Sequence, residues 1–305
     1  MRWRWLPVVL LALASLLGPV PRAQAQVTAD HYALLMVWMP GLCALEKDRP
    51  ECKDLSLRRY DGQNLAFMAL EVAHDSGVSD TFCFSMPSDF EMDHDRDWCD
   101  MTRPNVSPGI ATELKRLMPI AQSCQDRGLW ARYASCTMYS ADDYYARGLR
   151  LAKALTATKV NVKIAGAIGQ TVSQQALVAA FEQDLGDETG TAIDFICRKN
   201  AGKFHLVNVK LTVTARALTR GLSKELLWQP GRPLRRSCPE NIFVDAPPGT
   251  PLGTPGGTPE ASAAPAPPPA KPRAPDVPES SPVGPVETAP LEPPDQPKII
   301  PIPAR

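Results

Sequence analysis

The chain has 305 residues, with eight cysteines, 32 prolines and 33 basic against 33 acidic side chains. These totals exclude a single average globular protein, because composition and charge change sharply along the chain. Three segments emerge: 1–25, 26–245 and 246–305.

Residues 1–25 read as a cleaved secretion signal. Met1-Arg2-Trp3-Arg4 supplies the basic start, Leu6 to Val20 the apolar run, and Ala23-Gln24-Ala25 the small residues that a signal peptidase reads. Next, Tyr32 to Trp38 is a β-prone apolar run that ends at Met39-Pro40-Gly41, predicting a buried strand entering a turn. Leu65 to Val72 is a second run of that kind. Ile110 to Leu117 places apolar residues at 110, 114 and 117 and stops before Pro119, which predicts a short helix. Another helix is expected from Asp142 to about Leu155. Ser140-Ala141-Asp142-Asp143 matches the pattern in which a hydroxyl and a carboxylate satisfy the backbone donors of the first turn, and Tyr145, Leu149, Ala152 and Leu155 would face inward. Ser173 to Leu185 repeats the pattern with Leu177, Phe181 and Leu185, and meets Gly186 where a C-terminal cap favours positive φ. His205 to Val213 alternates strictly and is the clearest strand. Helices in the middle with strands at both ends indicate an α+β domain over 26–245. Residues 246–305 hold 20 of the 32 prolines and no aromatic residue. Such a tail lacks the apolar surface that would offset ordering entropy, so we expect disorder and a polyproline-rich spacer.

Within 26–245 the charge is uneven. Asp80 to Asp100 has seven acidic residues and one arginine, whereas Cys197 to Asp245 has ten basic and three acidic. The basic third could meet phosphates, or be a solvated surface. His94 among Asp93, Asp95 and Asp97 reads as a solvated acidic loop. No Cys-x-x-Cys pair occurs and the four histidines are scattered, so we expect neither a metal site nor a cofactor. A secretion signal with an even cysteine count reads as a disulfide framework in an oxidising compartment, the periplasm or the medium. Eight cysteines allow 105 pairings, and the residues alone do not choose among them. After signal cleavage no other apolar run is long enough to span a bilayer.

Over most of 26–245 the chain resembles the secreted acid ribonucleases of the ribonuclease T2 family, in their bacterial form. Tyr32 to Cys43 is similar to the family's first strand, which ends in a Trp, a Pro and then a Cys. Arg49-Pro50-Glu51-Cys52 resembles the partner cysteine, and Tyr60-Asp61 the Phe-Asp before the first catalytic segment. Leu117-Met118-Pro119, Trp130 and Ser135-Cys136 resemble the surroundings of the second, Tyr144-Tyr145 the Tyr-Phe of the next helix, and Cys238-Pro239-Glu240-Asn241-Ile242 the closing motif. The resemblance implies an antiparallel sheet with helices packed on it, stapled by Cys43–Cys52, Cys83–Cys136 and Cys197–Cys238, with Cys99–Cys124 as the remaining pair.

The catalytic segments depart from this pattern. Where the family has His-Gly-Leu-Trp-Pro, this chain has Met68-Ala69-Leu70-Glu71-Val72. Where it has His-Glu-Trp-x-Lys-His-Gly-Thr-Cys, this chain has Gly128-Leu129-Trp130-Ala131-Arg132-Tyr133-Ala134-Ser135-Cys136. Cleavage of the family's type needs one group to take a proton from the 2′-hydroxyl, another to give one to the leaving 5′-oxygen, and cations to hold the phosphorane charge. Histidine, with a pKa near ~6.5, serves either proton role. Met68, Gly128 and Leu129 serve none, and a phenol near ~10, as in Tyr133, is a poor base below neutrality. Arg132 can still bind a phosphate bidentately and Tyr133 can stack on a base or simply pack. The remaining histidine nearest in sequence to the first segment is His74.

The resemblance therefore implies a secreted, ribonuclease T2-like pseudoenzyme that binds RNA or nucleotides through Arg132 and Tyr133. Two alternatives stand beside it: a weak or altered RNA hydrolase using new cleft residues, and an envelope interaction module whose protein partner is met through the tail.

Overall fold

The computed structural model describes residues 31–75, 78–229 and 238–251. The expected signal, 1–25, and all of the expected tail beyond residue 251 lie outside the described residues, as does any envelope contact made through that part of the tail.

Strand β1 (His31–Val37) is buried along its whole length and runs straight into helix α1 (Met39–Leu45). The turn expected at Met39-Pro40-Gly41 is instead the first turn of that helix. Proline is tolerated there because its missing N–H would have no intrahelical acceptor. Gly41 is required by close packing, since a Cβ would lie 1.8 Å from the Leu206 carbonyl oxygen. β2 (Ala66–Ala73) pairs antiparallel with β1, and Leu35 faces Ala69 while Met36 faces Phe67. Met68 is thus the extra residue of a bulge, a device that bends a strand and re-aims its side chain.

The middle of the chain is helical: α2 (Pro87–Asp95), α3 (Pro108–Leu117), α4 (Gln125–Arg132), α5 (Ala141–Thr156) and α6 (Lys159–Gly166). α3 and α5 lie where the apolar spacing places them. Ser140 accepts the Asp143 N–H at 3.2 Å as the expected cap, and α5 buries Tyr144, Tyr145, Leu149, Leu151, Ala152 and Leu155. Strand β3 (Gln170–Ser173) leads into α7 (Gln174–Leu185), which stops at Gly186 with φ +97°. β4 (Ile193–Asn200) and β5 (Lys203–Val213) form a hairpin, followed by α8 (Ala217–Arg220) and β6 (Asn241–Val244).

The sheet order is β2-β1-β5-β6-β3, with β4 on the opposite edge of β5. The sheet expected to be antiparallel is mixed. β5 is longer than β1, and beyond the end of β1 its edge meets β6 in parallel at His205 and Phe243. That junction is closed by buried polar contacts: Trp38 Nε1 donates to the Asp245 carbonyl at 3.2 Å, and His205 Nδ1 lies 2.9 Å from the Asp245 carboxylate. Val207, Val209, Leu211 and Val213 are buried as their alternation predicts. α5 packs on this side, with the Leu70 N–H donating to the Tyr144 hydroxyl at 2.9 Å. Four disulfides join Cys43–Cys52, Cys83–Cys136, Cys99–Cys124 and Cys197–Cys238. Among the described residues no helix is long and apolar enough to cross a membrane.

Candidate functional site

A cleft of about 340 Å³ opens between the ends of β1, β2 and β5 on one side and α2 and α4 on the other. Its floor is apolar: Val37, Leu42, Met68, Leu129 and Val207. The Met68 side chain is held over this floor by the Asn208 amide, which donates to the Met36 carbonyl at 3.1 Å and approaches Met68 Sδ at 3.2 Å.

α4 supplies one wall. Gln125, Leu129 and Arg132 recur at four- and three-residue intervals and so share the face turned to the cleft. α2 supplies the facing wall, and it is an unusual helix because Asp93 is its one buried residue. Asp93 holds the two walls together. It accepts the Trp98 Nε1–H at 2.9 Å on one oxygen and pairs with the Arg132 guanidinium through the other. Gly128 makes that approach possible, for a Cβ there would lie 2.3 Å from Asp93 Oδ1 and 2.6–2.7 Å from the Trp98 ring. Two disulfides clamp the same region: Cys99–Cys124 fixes the turn after α2 to the start of α4, and Cys83–Cys136 fixes the loop before α2 to the turn after α4.

The mouth of the cleft is charged. Glu46 accepts from Arg49 Nη1 at 3.0 Å and from Arg198 Nη1 at 2.6 Å, with Arg96 Nη1 at 3.6 Å. Burial alone would raise the Glu46 carboxyl, but the hydrogen bonds from Arg198 and Arg49 outweigh it and hold it below the ordinary range. Arg96 reaches the site from a left-handed residue, φ +66°, that terminates α2.

The structure brings Met68, Leu129 and Arg132 into one cleft and sets Gly128 behind it. Tyr133 is not among the cleft-lining residues. It packs half-buried against the core near Glu71, and burial pushes its phenol further up from its ordinary value. Arg132 is committed to Asp93, and its Nε has no partner among the described residues. His74 hydrogen-bonds Asp80 at 2.9 Å and does not line the cleft. His94 does, with Nδ1 2.9 Å from Asp95. The segment expected as a solvated acidic loop is therefore the α2 wall. Among the described residues of the basic stretch 197–245 one cation, Arg198, lines the cleft.

Sequence reading missed Glu46, Arg49, Asp93, Trp98, Arg198 and Asn208. A signal existed for two further residues. Glu71 and Lys210 are charges inside apolar strand patterns, and they meet at 2.8 Å across the sheet, where Glu71 also accepts from Ser79 at 2.8 Å.

No family model matches the chain. Ribonuclease I of Escherichia coli K12 is 24% identical over 236 residues, 72% of this chain and 87% of that protein. Among solved structures, a variant of ribonuclease MC1, a bitter gourd seed protein, in complex with 5′-GMP superposes with a TM-score of 0.51 at 19% identity, over 71% of this chain and all of the other. The self-incompatibility-associated SF11-RNase of Nicotiana alata gives 0.50 at 12% identity, over 72% of this chain and all of the other.

Proposed function

We propose that this chain, a ribonuclease T2-like protein in fold, binds RNA or nucleotides in the α2–α4 cleft without cleaving them. The observation that carries this reading is the chemistry of the cleft floor. The positions that the resemblance gives to three histidines hold Met68, Gly128 and Tyr133, and the position of the charged Glu holds Leu129. Each missing acid or base costs roughly 10²–10⁴ in rate, with losses that are not additive when groups act as a unit. The room needed for an imidazole at 128 is filled by Asp93 and Trp98. Four arginines against two carboxylates in the lining favour an anionic ligand. Solved structures of ribonuclease MC1 variants hold 5′-GMP and 5′-UMP, which supports nucleotides as the ligand class. The site of action in this reading is the periplasm or the medium, consistent with a signal at 1–25 and with four disulfides.

The test is cleavage of a fluorogenic RNA by the full oxidised chain across pH 4–8, beside an anisotropy titration with uncleaved single-stranded RNA. We expect no turnover, together with binding that weakens steeply as salt rises. One observation favours a second reading, weak hydrolysis: His94 lines the cleft with its Nδ1 on Asp95, so its Nε2 is the free end of a carboxylate–imidazole pair. Turnover that follows the protein through two unrelated purifications and disappears in His94→Ala would establish that reading and overturn ours.

A further inference from the structure

The charges at the mouth of the cleft do not balance. Arg49, Arg96 and Arg198 surround Glu46, and the buried Glu51 takes the Nε of Arg49 at 2.6 Å. Three cations thus face two carboxylates. Arg49 is rigidly placed: its Nη2 donates to Ser123 Oγ at 3.0 Å and Gln125 Oε1 at 2.6 Å, and its guanidinium lies 5.6 Å from the centre of the Trp98 ring. Arg96 and Arg198 are different. Their side chains are 64% and 53% exposed, so an incoming anion reaches both.

The Glu51 side chain is fully buried, whereas Glu46, just past the end of α1, keeps 18% of its side chain exposed at the mouth of the cleft. Turning Glu46 outward leaves Arg49, Arg96 and Arg198 against Glu51 alone, a net charge of two. A phosphodiester brings one negative charge. A phosphomonoester brings about −1.5 to −2 near pH 7, because its second pKa is about 6. Its three terminal oxygens also suit the forked donors of several guanidinium groups.

We propose that Arg49, Arg96 and Arg198 form a binding site for a phosphomonoester dianion, the chemistry of a phosphorylated RNA end or a mononucleotide, with the Glu46 carboxylate as its displaceable plug. The proposal rests on the reading that the cleft binds nucleotides without turnover. It adds that the preferred ligand is a terminal phosphate rather than an internal stretch of chain. The plug sets a threshold: an anion must outcompete the Glu46 carboxylate, which a single-charged phosphodiester does poorly and a dianion does well.

The test uses the full oxidised chain and one short RNA made in three forms, with hydroxyl ends, a 5′-phosphate or a 3′-phosphate. Anisotropy gives the affinities, and calorimetry with inorganic phosphate is a separate arm. We expect at least one phosphorylated form to bind about tenfold tighter than the hydroxyl form, equivalent to about 1.4 kcal/mol. Arg198→Gln and Arg96→Gln should each collapse that ratio, and Glu46→Gln should strengthen inorganic phosphate binding. Equal affinity of all three RNAs, or a ratio that survives both arginine substitutions, overturns this inference and leaves the RNA-binding reading standing. Failure of every RNA to bind while inorganic phosphate binds in an Arg198-dependent way overturns the RNA-binding reading and supports the arginine site.

Discussion

Replacing Gly128 by alanine adds one methyl group at the closest contact between the two walls of the cleft. In a helix interior that change ordinarily stabilises by about 0.5–1 kcal/mol. Here the new Cβ would stand 2.3 Å from Asp93 Oδ1, 2.6 Å from Trp98 Cδ1 and 2.7 Å from Trp98 Nε1. Ordinary contact is ~3.5 Å or more, so Asp93 and Trp98 must each retreat by about 1 Å. That movement strains the 2.9 Å hydrogen bond between them and the pairing of Asp93 with Arg132. Overpacking typically costs about 1–3 kcal/mol and a hydrogen bond to a charged group about 1.5–3 kcal/mol. Less the helix gain, Gly128→Ala should destabilise the fold by about 1.5–5.5 kcal/mol. Gly109→Ala, in α3 with nothing within 4 Å of its Cβ, is the matched control and should stabilise by about 0.4–1 kcal/mol. Urea unfolding followed by tryptophan fluorescence and far-ultraviolet dichroism measures both. If Gly128→Ala is as stable as Gly109→Ala, the wall-to-wall contact does not constrain position 128 and the argument against an imidazole there fails.

Asp93→Asn should cost about 1.5–3 kcal/mol, since the charge-assisted bond to Arg132 is weakened while the amide still accepts from Trp98; an unchanged urea midpoint would refute the pairing. Burial raises the Asp126 carboxyl above its ordinary value, against the opposing charges of Arg127 and Arg103. A raised pKa means that its favourable contribution is complete below the unfolded value and is lost as pH rises through the folded one. Asp126→Asn should therefore match the wild type near pH 3 and exceed it at pH 7; a variant less stable at pH 7 would show that the first-turn carboxylate aids α4 instead. Removing Cys83–Cys136, which spans 53 residues, should cost about 4 kcal/mol by loop entropy, and removing Cys43–Cys52, which spans nine, about 3 kcal/mol. Thermal melts of the two paired Cys→Ser variants in the reverse order would contradict that account.

The elements legible in the sequence are those whose burial is regular. β5 alternates because one face meets the core, and α5 and α7 carry apolar stripes at helical spacing with a serine at each start. α2 was illegible for the opposite reason. Pro87–Asp95 buries one residue, an aspartate, and leaves Phe90 exposed, so no apolar period marks it. Its helix is fixed by contacts made at a distance in sequence, through Arg132 and the flanking disulfides, and by Trp98 just beyond its end. The parallel junction of β5 with β6 is likewise a consequence of unequal strand lengths, which no local pattern records. Arg132 could be named from the resemblance, but its partner could not, because Asp93 is 39 residues away. Glu46 and Arg198 are separated by 152 residues, and only the pairing of β4 with β5 brings Arg198 to the end of α1.

The sparse packing of α2 has a mechanical consequence. A wall that buries one side chain shares little of the cooperativity of the sheet, so its local opening free energy is set by the Asp93 contacts and two covalent clamps rather than by the core. In hydrogen exchange the amides of 87–95 should belong to a smaller, faster-opening unit than those of β1 and β5. Reducing agents would then act on this protein in two stages, loosening one side of the cleft while the sheet stays closed. The cleft is built like a cabinet with one panel bolted on: two of the four disulfides flank the one wall that the core does not hold.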